Sequence, residues 1–270
     1  MLTFIPTPIG NPLDITMRAL REFEKATLFL CEDTRETKRL LSILHERFAM
    51  PLPEAEFLSF HEHNGHARLE QVAERLETEQ VVYVSDAGMP VISDPGQILV
   101  AYCQEQEIAY DVLPGASAVV TAYAASGFEE GAFTFWGFLP HKGSDREQAL
   151  HQVMNHPTNS VLYESPHRIE KLMHEIESVD AERVLFCAKE LTKKFQQYHR
   201  GTAARMRQTF AEINTKGEWV VILRGKSEMH KSLSMDTIQS LDIPPKIKAK
   251  LLAKITDKTV KEWYQEIISD

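Results

Sequence analysis

Short apolar, β-branched runs alternate along the first part of the chain with stretches whose leucines recur at helical spacing. The runs predict strands at residues 2–7, 27–32, 56–61, 81–86 and 109–113. Leu40, Leu41 and Leu44 mark a helix over 35–46, and a second helix covers 68–76. This β-α-β-α rhythm predicts an α/β domain with a mostly parallel sheet, because parallel neighbours need a crossover between them. The segment 81–96, VVYVSDAGMPVISDPG, is the clearest case. A buried run ends abruptly in Ser85-Asp86-Ala87-Gly88, and a second turn, Ser93-Asp94-Pro95-Gly96, follows and opens a helical pattern. Such a strand delivers its loop to the ligand-binding edge of a sheet.

From Pro114 the pattern changes character. Pro114-Gly115-Ala116-Ser117 is a turn, and a small-residue helix runs on through Ala125. Further strands are predicted at 133–138, 160–163, 184–188, 195–199 and 219–223, with the neighbours around 184–199 forming an antiparallel pair in a mixed sheet. The pattern divides the chain into an N-terminal α/β domain (1–113), a C-terminal α/β domain (114–228) and a helical tail (229–270), with a cleft between the α/β domains. Six lysines (246, 248, 250, 254, 258 and 261) concentrate charge in the tail. They read as a solvated helix face or as phosphate contacts.

Composition narrows the class. With 270 residues and 43% hydrophobic content, the chain can build full cores. It contains no run of about 18 apolar residues, so no membrane span is expected. The N-terminus enters a strand pattern without a basic leader, and three scattered cysteines lack any CxxC pair. Both point to the cytoplasm. A net charge of −9 disfavours a general nucleic-acid binder, so any such role needs a local basic patch.

Candidate chemistry gathers at strand ends. Asp86 ends the fourth run and reads as a ligand-binding acid or a turn aspartate. Glu32-Asp33-Thr34-Arg35 ends the second, with Asp33 or Thr34 as helix cap or as part of a site. His61-Glu62-His63-Asn64 ends the third; with no further ligand cluster nearby, a metal is not expected. Glu164-Ser165-Pro166-His167-Arg168 lacks the frame of a catalytic serine, and Pro166 predicts a helix start. Arg168 suits phosphate recognition. No G-x-G-x-x-G follows the first strand, which disfavours a dinucleotide fold.

Taken in order, these segments resemble the ribosomal RNA small subunit methyltransferase I family of the tetrapyrrole methylase superfamily. The match runs over residues 2–225, from Thr7-Pro8-Ile9-Gly10-Asn11 through EDTR, HEHN, SDAG, ISDPG, Pro114-Gly115-Ala116-Ser117-Ala118, ESPHR and Glu190-Leu191-Thr192-Lys193 to Arg200-Gly201-Thr202. The resemblance implies a homodimer of two α/β domains with S-adenosylmethionine in the cleft. It implies methylation of a cytidine ribose 2′-hydroxyl in the decoding region of 16S rRNA, as free RNA or assembled subunit. It also implies cofactor contacts at Pro8, Ser85, Asp86, Gly88, Ile92, Ser117, Ala118, Glu164 and Leu191. Asp33, Glu32 and His61 are the candidates for assisting the hydroxyl, with Asp33 foremost, and Arg35 and Arg168 for holding substrate phosphate. The competing readings are a small-molecule C-methyltransferase of the same fold and a non-catalytic RNA-binding assembly factor.

Overall fold

The computed structural model describes residues 1–270 except 62, 130, 227–234, 257 and 270. Glu62 of the HEHN segment and part of the tail thus lie outside the described residues. Residues Met1–Gly225 form one compact unit and Lys226–Asp270 another.

The first sheet contains β1 (Leu2–Phe4), β2 (Leu28–Cys31), β3 (Glu56–Ser59), β4 (Val81–Val84) and β5 (Tyr110–Val112). Its order is β3-β2-β4-β1-β5 and every pair is parallel. Helices α1 (Met17–Lys25), α2 (Thr34–Phe48), α3 (Gly65–Thr78) and α4 (Gln97–Glu105) make the crossovers. The central strands β2 and β4 are buried along their whole length, as strands covered on both faces must be. Their side chains alternate. Leu28, Leu30, Val81 and Tyr83 pack with Val72, Leu76 and Leu99 on one face, while Phe29, Cys31, Val82 and Val84 pack with Leu20, Phe23, Leu41 and Leu44 on the other. Side-chain caps start two of the helices: Thr16 accepts from the Ala19 N–H at 3.0 Å, and Asp33 from the Arg35 N–H at 2.8 Å.

After α5 (Ala118–Ser126) comes the second sheet: β6 (Phe133–Phe138), β7 (Asn159–Glu164), β8 (Val184–Lys189), β9 (Gln197–Thr202) and β10 (Trp219–Leu223). Its order is β6-β7-β10-β8-β9; β6 and β7 are parallel and the other pairs antiparallel, including the expected β8–β9 pair. Helices α6 (Ser144–Asn155), α7 (Ile169–Val179) and α8 (Ala203–Glu212) cover one face. On the other face α5 packs with Phe128 and with Ile9, which arrives from the loop after β1. The architecture is therefore α/β with two sheets, as the sequence predicts. One boundary differs. Pro166 does not start α7; residues 165–168 form a turn in which the Ser165 carbonyl accepts from both the Arg168 and Ile169 N–H groups, and the helix begins at Ile169.

The tail unit is helical, with α9 (Met235–Ser240), α10 (Pro245–Leu252) and α11 (Val260–Ser269) around a small core of Ile238, Ala249, Leu252 and Trp263. Among its lysines, Lys258 pairs with Glu266 at 2.7 Å and lies over the Trp263 ring, and Lys248 donates to the Gln239 carbonyl. Lys246, Lys250, Lys254 and Lys261 are exposed.

A buried ion network ties β7 to the helices beside it. The Glu164 side chain is fully buried and pairs with Arg168 at 2.7 Å and with Arg146 at 3.5 Å. Arg146, only 2% exposed, also bonds Glu175 at 2.8 Å and the Pro140 carbonyl at 3.1 Å. Removing one member of such a network strands a charge in low dielectric. Arg146→Ala is expected to cost about 3 kcal/mol or more, read as a lowered midpoint in urea denaturation.

Candidate active site

Loops at the carboxyl ends of the first sheet meet the second sheet. The loop after β1 is held to the loop after β4 by a reciprocal backbone pair: Thr7 N–H to Gly88 carbonyl and Gly88 N–H to Thr7 carbonyl, both 3.0 Å. Gly88 has φ +86, a conformation that favours glycine, and an added Cβ there would sit 3.1 Å from Ile9. Beyond Ile9, the Asn11 N–H donates to Thr192 Oγ1 at 2.9 Å. A Cβ on Gly10 would lie 2.4 Å from Lys193 and 2.8 Å from the Leu191 carbonyl, so this close approach requires glycine. Farther along the β4 loop, Val91 and Ser93 take φ +74 and +69, strained values for residues with a Cβ. Strain of this kind collects where a loop must present particular groups.

The loops enclose a cavity of about 320 Å³. One wall holds Ser85, Gly88, Ile92 and Asp94; the opposite wall holds Ser117, Ala118, Glu164, Leu191 and Trp219. Four carboxylates line it (Glu32, Asp94, Glu164 and Glu218), and no Lys, Arg or His among the described residues does. Two of the four are neutralised, Glu164 by its arginines and Glu218 by Lys193 at 2.9 Å. Glu32 and Asp94 have no ion pair among the described residues. Burial pushes the Glu32 carboxyl above its ordinary range, and the Asp86 and Asp94 charges add to the effect. The Asp86 N–H opposes it, donating to Glu32 Oε2 at 3.0 Å. Ser85 Oγ and Asp94 Oδ2 are buried without a hydrogen-bond partner among the described residues.

Seven of the nine expected cofactor contacts line this cavity: Ser85, Gly88, Ile92, Ser117, Ala118, Glu164 and Leu191. Pro8 and Asp86 are not among its lining residues. Asp86 accepts from the Asp33 N–H at 3.2 Å, tying the ends of β2 and β4 together. Of the three candidate helpers only Glu32 faces the cavity. Asp33 is spent on capping α2 and on a bidentate pair with Arg35, at 3.1 and 2.6 Å. Those contacts hold its carboxyl well below the ordinary range, which makes it a weak base. His61 sits just past β3, off the cavity, with Nδ1 buried and without a partner among the described residues. Arg35 is exposed, whereas Arg168 is committed to Glu164, Ser165 and the Leu139 carbonyl. Asp94, Glu218 and Trp219 also line the cavity, beyond the residues expected from the sequence. For Asp94 the signal was its turn motif; for the other two nothing local marks the approach of β10.

No group of His, Cys, Asp and Glu among the described residues could hold a metal ion. The three cysteines are buried and free; burial pushes the Cys31 thiol up to about 11 and raises Cys103 and Cys187 too. No helix among the described residues is long and apolar enough to cross a membrane.

A two-sheet α/β fold with a cavity built from strand-end loops defines a class, and residues 1–207 match the model of the Tetrapyrrole (Corrin/Porphyrin) Methylases. Solved structures share the fold at low identity. Diphthine synthase has a TM-score of 0.64 at 12% identity, over 83% of this chain and 90% of that one. The uroporphyrin-III C-methyl transferase of Thermus thermophilus, complexed with S-adenyl homocysteine, has a TM-score of 0.56 at 12% identity, over 82% and 96%. Much greater similarity links the chain to proteins named Ribosomal RNA small subunit methyltransferase I. It is 42% identical to that of Helicobacter pylori (strain J99) over 98% of this chain and 96% of the relative, and 42% identical to that of Campylobacter fetus over the full length of both. The chain belongs to the ribosomal RNA small subunit methyltransferase I family.

The Asp33–Arg35 pair makes a titration test. Arg35→Ala should return the Asp33 carboxyl toward its ordinary range, seen by carboxyl-detected NMR. Because the folded-state value is depressed, the pair stabilises the fold above the unfolded aspartate pKa, and that contribution is lost as pH falls toward the folded value. The variant should lack this part of the acid dependence.

Proposed function

We propose that the chain transfers a methyl group from S-adenosylmethionine to small-subunit ribosomal RNA, at the ribose 2′-hydroxyl of a cytidine in the decoding region of 16S rRNA. The observation that carries this reading is the 42% identity, over essentially the whole chain, to relatives named for that class of substrate. The cavity fits the cofactor by its own chemistry. It is largely apolar, it offers buried Ser85 Oγ and Asp94 Oδ2 without internal partners, and its uncompensated carboxylates suit a cationic ligand.

Ser85, Gly88, Ile92, Ser117, Ala118, Glu164 and Leu191 would hold the cofactor, with Pro8 and Asp86 supporting them. The bound sulfonium supplies an already activated methyl group. What the chain must add is alignment, exclusion of water and help for a weakly nucleophilic hydroxyl. Glu32 is the best-placed proton acceptor, since it faces the cavity and burial raises its basicity. Asp33 is a positioning group that orients Arg35, whose exposed guanidinium can meet a phosphate beside the target ribose. Arg168 acts by fixing Glu164. The exposed lysines of α10 and its flanks supply the local basic surface that a chain of net charge −9 needs to meet RNA. An RNA substrate of this kind places the work in the cytoplasm.

A second copy of the chain is the further partner we infer. Leu13, Met17 and Val112 are exposed, and the Arg18–Asp111 ion pair brings the start of α1 to the outer edge strand β5. Sedimentation at micromolar concentration should give a dimer; a monomer would sink that inference.

Mass-spectrometric mapping of small-subunit RNA from cells with and without the chain tests the substrate. One cytidine ribose methyl should vanish in its absence, and an unchanged map would reject the reading. Glu32→Gln should lower the single-turnover rate about 100-fold or more, while Asp33→Asn lowers it less. The wild-type rate should fall as pH drops through the raised Glu32 value, because only the ionised carboxylate accepts the proton.

A further inference from the structure

Resting on that reading, we propose that Asp94 is a cofactor-anchoring residue: its Oδ2 accepts a hydrogen bond from a donor on the S-adenosyl ligand. Asp94 is about nine-tenths buried and lines the cavity. Its two oxygens are treated unequally. Oδ1 accepts from the Tyr83 hydroxyl at 2.9 Å and from the Gly96 N–H at 2.8 Å. Among the described residues Oδ2 has no hydrogen-bond partner; burial raises the Asp94 carboxyl above its ordinary range, an effect that Gly96, Tyr83 and the Val91 backbone oppose. A buried carboxylate oxygen left bare is costly, and a ligand donor offsets that cost.

The surroundings are arranged to keep the group in place. Tyr83 belongs to the buried strand β4 and is itself fully buried, so the hydroxyl that fixes Oδ1 is rigidly mounted. Gly96 must be glycine, since a Cβ there would lie 2.5 Å from the Tyr83 ring. The positive φ values of Val91 and Ser93 bend the loop that carries Asp94. Ser93 Oγ lies 3.5 Å from where a Cβ on Gly137 would be, so the loop also abuts β6. Strain, a glycine and a buried tyrosine all serve one carboxylate whose second oxygen is unpaired inside the cavity. With Glu32 also uncompensated, this part of the cavity favours a ligand carrying positive charge or several donors.

The donor is an ammonium or a ribose hydroxyl, and two ligands separate them. S-adenosylhomocysteine carries both groups, whereas 5′-methylthioadenosine keeps the ribose and lacks the amino-acid part. Calorimetric titration of the full chain gives the reference affinities; if the wild type binds neither, the functional reading fails rather than the role of Asp94. In Asp94→Asn the side chain can still accept from Tyr83 and Gly96, but it turns an amide N–H₂ toward the ligand donor. Affinity for S-adenosylhomocysteine should fall about tenfold or more. An equal loss for 5′-methylthioadenosine assigns the ribose hydroxyls, and a loss confined to S-adenosylhomocysteine assigns the ammonium. Unchanged affinity for both ligands in a variant with wild-type circular dichroism overturns the proposal. Should the asparagine variant not fold, Asp94→Ser carries the same test, because its hydroxyl can still accept from the Gly96 N–H.

Discussion

The reciprocal backbone pair between Thr7 and Gly88 is the joint on which the cavity depends. It fuses the loops after β1 and β4 into one rigid edge, and the Thr7 hydroxyl, bonded to the Ser85 carbonyl at 3.4 Å, strengthens it. From that edge Ile9 reaches into the apolar face of the second sheet, and Gly10 and Asn11 dock on residues 191–193. The two sheets share no strand. They share a cavity because one short loop is bonded at both ends, and its buried backbone groups are satisfied by those bonds.

The electrostatics follow from the same arrangement. Parallel strands all deliver their carboxyl ends to one edge, and here those ends carry Glu32, Asp33 and Asp86. Such crowding would be costly unless the charges were handled separately. Asp33 is neutralised by Arg35 at the solvent side, Asp86 is bridged by a backbone N–H, and Glu164 across the cavity is held by two arginines. Glu32 and Asp94, without an ion pair among the described residues, face inward. Two carboxyl groups without ion pairs thus give the cavity an acidic lining.

Most of the fold was legible because each strand ends in turn chemistry that sequence displays directly. The β6 and β10 ranges match the apolar runs, and β1 to β5 differ from theirs by a few residues at most. β9 is the exception, displaced toward Arg200–Thr202, since its polar edge sequence has little periodicity and pairing with β8 sets its limits. In the candidate site, the loops were visible but the directions of side chains were not. Asp33 and Glu32 are neighbours with alternate orientation, so one caps a helix and the other faces the cavity. Arg168 reads as a free cation until the distant Leu139 carbonyl and buried Glu164 are seen around it.

The position of β10 also shapes how the chain comes into being. The first sheet is complete once residue 112 has been made, and every crossover it needs is already in hand. The second sheet is different: β10, its central strand, is the last of the ten described strands to be synthesised, and both β7 and β8 pair with it. Until then two apolar strands wait with open edges, the state most exposed to mispairing on the ribosome. Folding of the second half therefore waits on β10, while the first half can serve as a preformed surface on which it assembles.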